Sequence, residues 1–167
     1  YAGVSYIPFL TDSSDAELDS AGFQPVTGSC NGYLPSVINI RLIPEGLYNT
    51  ETKNLTIRDT VKAYLHSNVS PFVPVDSAVS VIDSVTFTGA FTFPDAPSGT
   101  YYIEIRHRNS ISTWSKAGGE LFVPNSTMNY DFTDLSNKAF GNNLKQVDTT
   151  PVLFAVFGGD INQDGII

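Results

Sequence analysis

The 167-residue sequence has one cysteine, little positive charge and no long hydrophobic run. Because Cys30 has no second cysteine to pair with, an intrachain disulfide framework is excluded. No stretch approaches the roughly 18 consecutive apolar residues of a membrane helix, so we expect no membrane insertion. Lys and Arg number 9 against 17 Asp and Glu, which gives a net charge of −8. An acidic surface repels phosphate backbones, and we therefore expect no nucleic-acid partner.

Helical periodicity is also nearly absent, and apolar residues instead recur at every second position. This alternation is typical of strands that bury one face, and turn residues separate the runs. The predicted strands are Val37–Ile43, Thr60–Leu65, Ala78–Asp83, Val85–Phe87, Ala90–Phe93, Thr100–His107, Glu120–Val123, Met128–Phe132 and Val152–Phe157. So many short strands predict an all-β protein built as an antiparallel β-sandwich.

Thr100–His107 is the clearest of these strands, and its alternation assigns the two faces. Ile103 and Ile105 should point into the core, whereas Tyr102 and Glu104 should lie on the opposite face. A shift of one residue would bury Glu104, so the pattern fixes the register. Replacement of Glu104 by serine should then be nearly silent.

The distribution of turn residues divides the chain into three predicted segments. Residues 37–157 form the sandwich, and turn residues cluster just before it, between Gly28 and Pro35. Residues 1–36 are an N-terminal extension that contains the strand-like run Val4–Leu10. Because this run includes Pro8, it suits an edge strand, either on its own domain or donated to a neighbour. Residues 158–167 are an acidic tail.

The acidic tail has the spacing of a calcium loop. Asp160, Asn162 and Asp164 occupy alternate positions and are followed by Gly165, as in the first half of an EF-hand loop. The predicted cofactor is calcium, bound by these three side chains and by the backbone carbonyl of Ile166. The ninth and twelfth loop positions would lie beyond the end of this sequence. The alternative is an Asx-rich turn without metal.

No catalytic constellation is evident elsewhere, so we expect a protein that is not an enzyme. His66 and His107 are the only histidines, and with a single cysteine they are too few for a zinc site. Ser110 follows His107 closely, but the chain has no G-x-S-x-G nucleophile motif.

An aromatic group offers one binding hypothesis. Trp114, together with Tyr101 or Tyr102, would form a sugar-binding platform if these rings were exposed on one face. The alternative is that they pack the sandwich, as a single tryptophan commonly does.

Three stretches together resemble the C-terminal region of large secreted proteins from the Bacteroidetes/Chlorobi/Ignavibacteria group. They are Leu42–Asn49 (LIPEGLYN), Gly99–Ser115 (GTYYIEIRHRNSISTWS), and Lys145–Pro151 (KQVDTTP) leading to Gly159–Gly165 (GDINQDG). The resemblance implies an immunoglobulin-like or prealbumin-like β-domain, a dockerin-like calcium segment and a secreted or cell-surface location. It implies no catalytic activity. Because a dockerin needs paired calcium loops with helices, cohesin binding is not carried over to these residues.

The leading hypothesis is a non-enzymatic, extracellular structural or adhesive module. Its partners would be copies of itself, and the protomers of a surface fibre would be linked by strand donation. Two alternatives stay open at this point. One is a carbohydrate-binding accessory domain of a secreted enzyme, with glycans as ligands; the other is a dockerin-type anchoring module.

Overall fold

The computed structural model describes residues 35–162 and 164–166. All of them belong to the unit Tyr33–Ile167. The predicted extension, apart from Pro35 and Ser36, lies outside the described residues, and so does its strand-like run Val4–Leu10.

Strands are the main regular elements of the described residues, and three 3₁₀ turns cover Glu45–Leu47, Ser136–Lys138 and Phe140–Asn142. The strands are β1 (Val37–Arg41), β2 (Tyr48–Asn49), β3 (Asn54–Leu55), β4 (Asp59–Ser67), β5 (Pro74–Ile82), β6 (Thr88–Thr92), β7 (Gly99–Arg106), β8 (Thr113–Trp114), β9 (Glu120–Phe122), β10 (Thr127–Asp131), β11 (Lys145–Thr149) and β12 (Val152–Ala155). Within this part of the chain, no helix is long and apolar enough to cross a membrane.

Two sheets form the layers of the sandwich. The larger has the order β5-β4-β7, and β8 and β9 share the second edge of β7. The smaller has the order β10-β1-β6. All pairs in the larger sheet are antiparallel, while β1 is antiparallel to β6 and parallel to β10. The prediction of an all-β antiparallel sandwich is confirmed, with the β1–β10 pair as a local exception.

The core lies between the two sheets and is filled by the inward alternates of their strands. The most deeply buried include Ile38, Ile40, Val61, Leu65, Phe91, Ile103, Ile105 and Phe122. Removing such a side chain from water stabilises the fold by about 1.5–3 kcal/mol. The predicted inward orientation of Ile103 and Ile105 is therefore confirmed.

The predicted strand Val85–Phe87 is wrong, because these residues form a turn. The Asp83 carboxylate accepts hydrogen bonds from the backbone N–H groups of Val85 (3.0 Å) and Thr86 (2.9 Å). Phe87 follows with a φ of 61°, in the left-handed region, and its side chain is buried. Local capping by aspartate thus overrides the β-propensity of valine, threonine and phenylalanine.

A hairpin precedes the tail, and the alternation pattern predicted only its second strand, β12, within Val152–Phe157. Its first strand, β11, pairs antiparallel with β12 and contains a register shift between Gln146 and Asp148. Beyond β12, the N–H of Val156 donates to the carbonyl of Ile43 at 2.9 Å. This contact fastens the hairpin to the chain that continues from β1, and so it fixes where the tail begins.

Candidate functional site

The acidic tail is anchored to the sandwich just before its first aspartate. The backbone N–H of Gly158 donates to the Glu45 carboxylate at 3.0 Å. The N–H of Gly159 donates to the carbonyl of Asn109, also at 3.0 Å. Two separate loops of the sandwich therefore hold the start of the tail.

The predicted metal ligands come together in one loop. Asp160 is 2% exposed, and its two carboxylate oxygens accept the backbone N–H groups of Asp164 and Gly165, each at 3.1 Å. The Asn162 side-chain amide donates to the Asp164 carboxylate at 2.7 Å. Gly165 has a φ of 81°, which a residue with a Cβ rarely adopts. The Asp160 carboxylate thus closes the turn that places the following carbonyl of Ile166.

The side chains of this loop offer the oxygen atoms that calcium prefers, but they supply only part of a coordination shell. Among residues 35–162 and 164–166, no three His, Cys, Asp or Glu side chains are grouped as a metal site. The loop offers the carboxylates of Asp160 and Asp164 together with the amide of Asn162. Calcium takes roughly six to eight oxygens, so the remaining ligands must be carbonyls, water or another segment. The Asn162 amide would also have to turn its oxygen toward the ion.

An open cleft of about 450 Å³ separates this loop from the edge of the larger sheet. Its lining residues are Arg106, Ile111, Ser112, Asp160, Asp164 and Gly165. The lining therefore combines one basic side chain with two acidic ones.

Arg106 belongs to a network centred on a buried carboxylate. Glu104 is 2% exposed and accepts hydrogen bonds from Arg106 (2.8 and 3.1 Å), His66 (2.7 Å) and the Ser112 hydroxyl. Burial alone would raise the pKa of Glu104, but the bonds from Arg106, Ser112 and His66 together hold it below its usual value. Glu104 is therefore an ionised side chain with every partner supplied by the protein.

The expectation that Glu104 is a silent surface residue is therefore wrong. It lies on the outer face, as the alternation predicts, but its cross-strand neighbours are Tyr64 and Trp114. These aromatic side chains and Arg106 cover the carboxylate. The outer face of β7 is thus a second, smaller packing layer.

The aromatic rings of this outer face are in mutual contact. Trp114 lies over His66 with ring centroids 4.4 Å apart, and the Tyr102 ring is 5.8 Å from Trp114. Tyr102 also packs edge-on against Phe72 and Phe140, both of which are exposed. The structure therefore brings Tyr102 and Trp114 together, as the sugar-platform hypothesis requires.

Tyr101 is not part of that face. Its side chain is 7% exposed and packs against Phe122 in the core. Its hydroxyl donates to the carbonyl of Pro97 at 3.0 Å. The proposed role of Tyr101 in a platform is thus incorrect, because alternation along β7 turns it inward.

A serine, a histidine and an aspartate also meet at the end of β7. His107 Nδ1 lies 3.0 Å from the Ser110 hydroxyl, and Nε2 lies 3.2 Å from the Asp59 carboxylate. However, Ser110 is 1% exposed and His107 is 3% exposed. A nucleophilic hydroxyl must reach a substrate carbonyl, which this burial prevents. The arrangement instead fastens the loop whose Asn109 carbonyl anchors the tail.

Strand β5 presents an apolar surface. Along its outer face Val75, Val79 and Val81 are exposed, with Val79 at 60%. Its single charged residue, Asp76, accepts the backbone N–H groups of Asp95 (2.9 Å) and Ala96 (3.1 Å). Among the described residues, β5 is hydrogen-bonded into a sheet only through β4. Its second edge therefore pairs with no other strand in the described part of the chain.

No family model matches the chain, and no curated protein or solved structure shows significant similarity to it. The resemblance to secreted surface proteins rests on the quoted motifs and stays a prediction.

Proposed function

We propose that this chain is a non-enzymatic, extracellular structural or adhesive module that assembles with copies of itself into a surface fibre. Strand donation would link the subunits, and the acidic tail would use calcium. The observation that carries the proposal is the valine-lined edge of β5, which pairs with no second strand of the described residues. Protein sheets commonly guard edges with charges, prolines or bulges, and β5 has such features only at its beginning: Pro74, the adjoining register shift and Asp76. From Ser77 to Ile82 it has none, and such an edge accepts another strand.

The hydrogen-bond partners of the potentially reactive side chains support a structural role. Glu104 is bound by Arg106, His66 and Ser112 within one network. His107 lies between Ser110 and Asp59 and is buried. These groups stabilise loops and strand ends, as expected for a structural protein.

The tail supports the calcium part of the proposal. Asp160, Asn162 and Asp164 share one loop, and their hard oxygen donors favour calcium over transition metals. The carbonyl of Ile166 would be a further ligand. An extracellular location agrees with calcium use, with the net charge of −8 and with the motif resemblance.

Light scattering tests the proposal directly. The full chain should grow in mass with concentration in millimolar calcium, and a chain lacking residues 1–12 should not. Adding the missing peptide should restore a partner strand in trans. If deletion lowers only the melting temperature and leaves the mass unchanged, the segment packs on its own domain.

A carbohydrate-binding domain is the second candidate, because Tyr102 and Trp114 lie together beside the exposed Phe140 ring. Aromatic faces that are partly open to water bind the apolar faces of sugars. A glycan array should then show binding that Trp114→Ala abolishes. Leu135→Ala, at another exposed apolar side chain, is the matched control. Equal binding by both variants would remove this candidate.

A further inference from the structure

We infer that the outer edge of β5 is the acceptor site and that its occupant is the segment Val4–Leu10 of a second copy of this chain. The inference rests on the proposed function, since it specifies the contact that would join the subunits.

Strand length distinguishes β5 from the other edges of the two sheets. β5 has nine residues, whereas β8 and β9 on the opposite side of the larger sheet have two and three. The edge strands of the smaller sheet, β6 and β10, have five residues each. Because backbone hydrogen bonds between strands accumulate with length, β5 offers the most extensive ladder to an incoming strand.

The face beside that edge suits an uncharged partner. Val75, Val79 and Val81 project outward, and the carboxylate of Asp76 is engaged by the backbone of Asp95 and Ala96. Two copies that each carry a net charge of −8 repel one another. A seam whose one β5 carboxylate, that of Asp76, is already hydrogen-bonded is therefore a favourable place for them to meet.

Val4–Leu10 has the properties that this edge requires. The segment contains seven residues, none of them charged. At about 3.3 Å per residue it would extend roughly 23 Å, most of the roughly 30 Å spanned by the nine residues of β5. Pro8 lacks an N–H group, so it is tolerated where one side of the strand faces water.

The place where the chain enters the sandwich brings the segment within reach of β5. The carbonyl of Ser36 accepts the N–H of Phe93 at 2.9 Å, and the loop that follows Phe93 is bound by Asp76 of β5. The chain therefore enters close to the beginning of β5. The 25 residues between Leu10 and Ser36 could extend up to roughly 80 Å, which is enough to reach a neighbouring molecule.

Disulfide trapping between full-length chains tests this pairing. Cys30→Ser removes the natural thiol, and Val79→Cys then provides one on the β5 face. Tyr6→Cys and Ile7→Cys are made separately in the same background, because consecutive strand residues face opposite sides and one of them must face Val79. Val85→Cys is the matched control, since Val85 is 64% exposed but lies in the turn that follows β5 and not in the strand itself.

Mixtures of a segment variant with the Val79→Cys chain should form a disulfide-linked heterodimer under mild oxidation. The yield should be at least tenfold above that with the Val85→Cys chain. Equal yields for the two partners would overturn the assignment of β5. Predominant Val79→Cys homodimers would mean that two β5 edges pair with each other instead. A double variant that gives only intrachain disulfides would place the segment on its own domain.

The same preparations separate failure of this inference from failure of the proposed function. If the chains assemble by light scattering but the segment does not cross-link to β5, the fibre stands and the acceptor lies elsewhere. If they stay monomeric under all conditions, the proposed function fails together with the inference.

Discussion

Replacing Glu104 by alanine removes the carboxylate that Arg106, His66 and Ser112 share. Loss of one partner from a buried ion pair costs about 3–5 kcal/mol, because the remaining charge is left without compensation. The Arg106 side chain is 49% exposed and can regain water, which moves the cost toward the lower end of that range. His66 keeps its contact with the Phe72 carbonyl (2.7 Å) but loses its second one.

We therefore expect Glu104→Ala to lower the free energy of unfolding by about 3 kcal/mol at pH 7. For a domain of this size, the melting temperature should fall by about 10 °C. Urea and thermal unfolding, followed by circular dichroism, measure both quantities. Glu51→Ala is the control, because Glu51 is exposed and its loss should change stability by less than about 0.5 kcal/mol. A Glu104→Ala chain as stable as the Glu51→Ala chain would mean that the buried network contributes nothing measurable to stability and that Glu104 behaves as a silent surface residue.

Three further predictions concern the tail, pH and the core. Isothermal titration at neutral pH should show calcium binding that Asp164→Asn weakens, and an absence of heat in the unmodified chain would remove the calcium assignment. Hydrogen bonds from Lys53 and Tyr48 lower the pKa of Asp148, so their contribution to stability should be complete above about pH 4 and decline as pH falls further. Asp148→Asn should make this decline shallower in urea titrations at pH 5 to 2, and an unchanged slope would contradict the assignment. Ile103→Asp should prevent folding, because it places an unpaired charge in a fully buried position; a cooperative thermal transition near that of the unmodified chain would contradict this.

Hydrophobic periodicity predicted those strands in which buried and exposed residues alternate regularly. The alternation in Thr100–His107 located β7 and the inward direction of Ile103 and Ile105. The strand predicted at Val85–Phe87 is a turn. The Asp83 carboxylate binds the backbone N–H groups that a strand would use, and β-propensity alone does not reveal this. Sequence spacing also predicted that Asp160, Asn162 and Asp164 lie within one loop, whereas calcium binding by them stays a prediction.

Features formed by distant parts of the chain could not be predicted in this way. Glu104 is covered because β8 places Trp114 beside it, and the sequence of β7 alone does not predict this neighbour. The contact between His107 and Asp59 joins positions 48 residues apart. The exposed valines of β5 were visible as alternation, but their exposure depends on which strand forms the sheet edge.

Negative-stain electron microscopy of the full chain at high concentration with calcium shows whether the subunits form a fibre. We expect filaments for the unmodified chain and for Val85→Glu. We expect single particles for Val79→Glu, whose new carboxylate lies opposite Lys62 in the β4–β5 register and so leaves the fold intact while charging the seam. Single particles for the unmodified chain, or equal filaments for all three chains, would contradict this expectation.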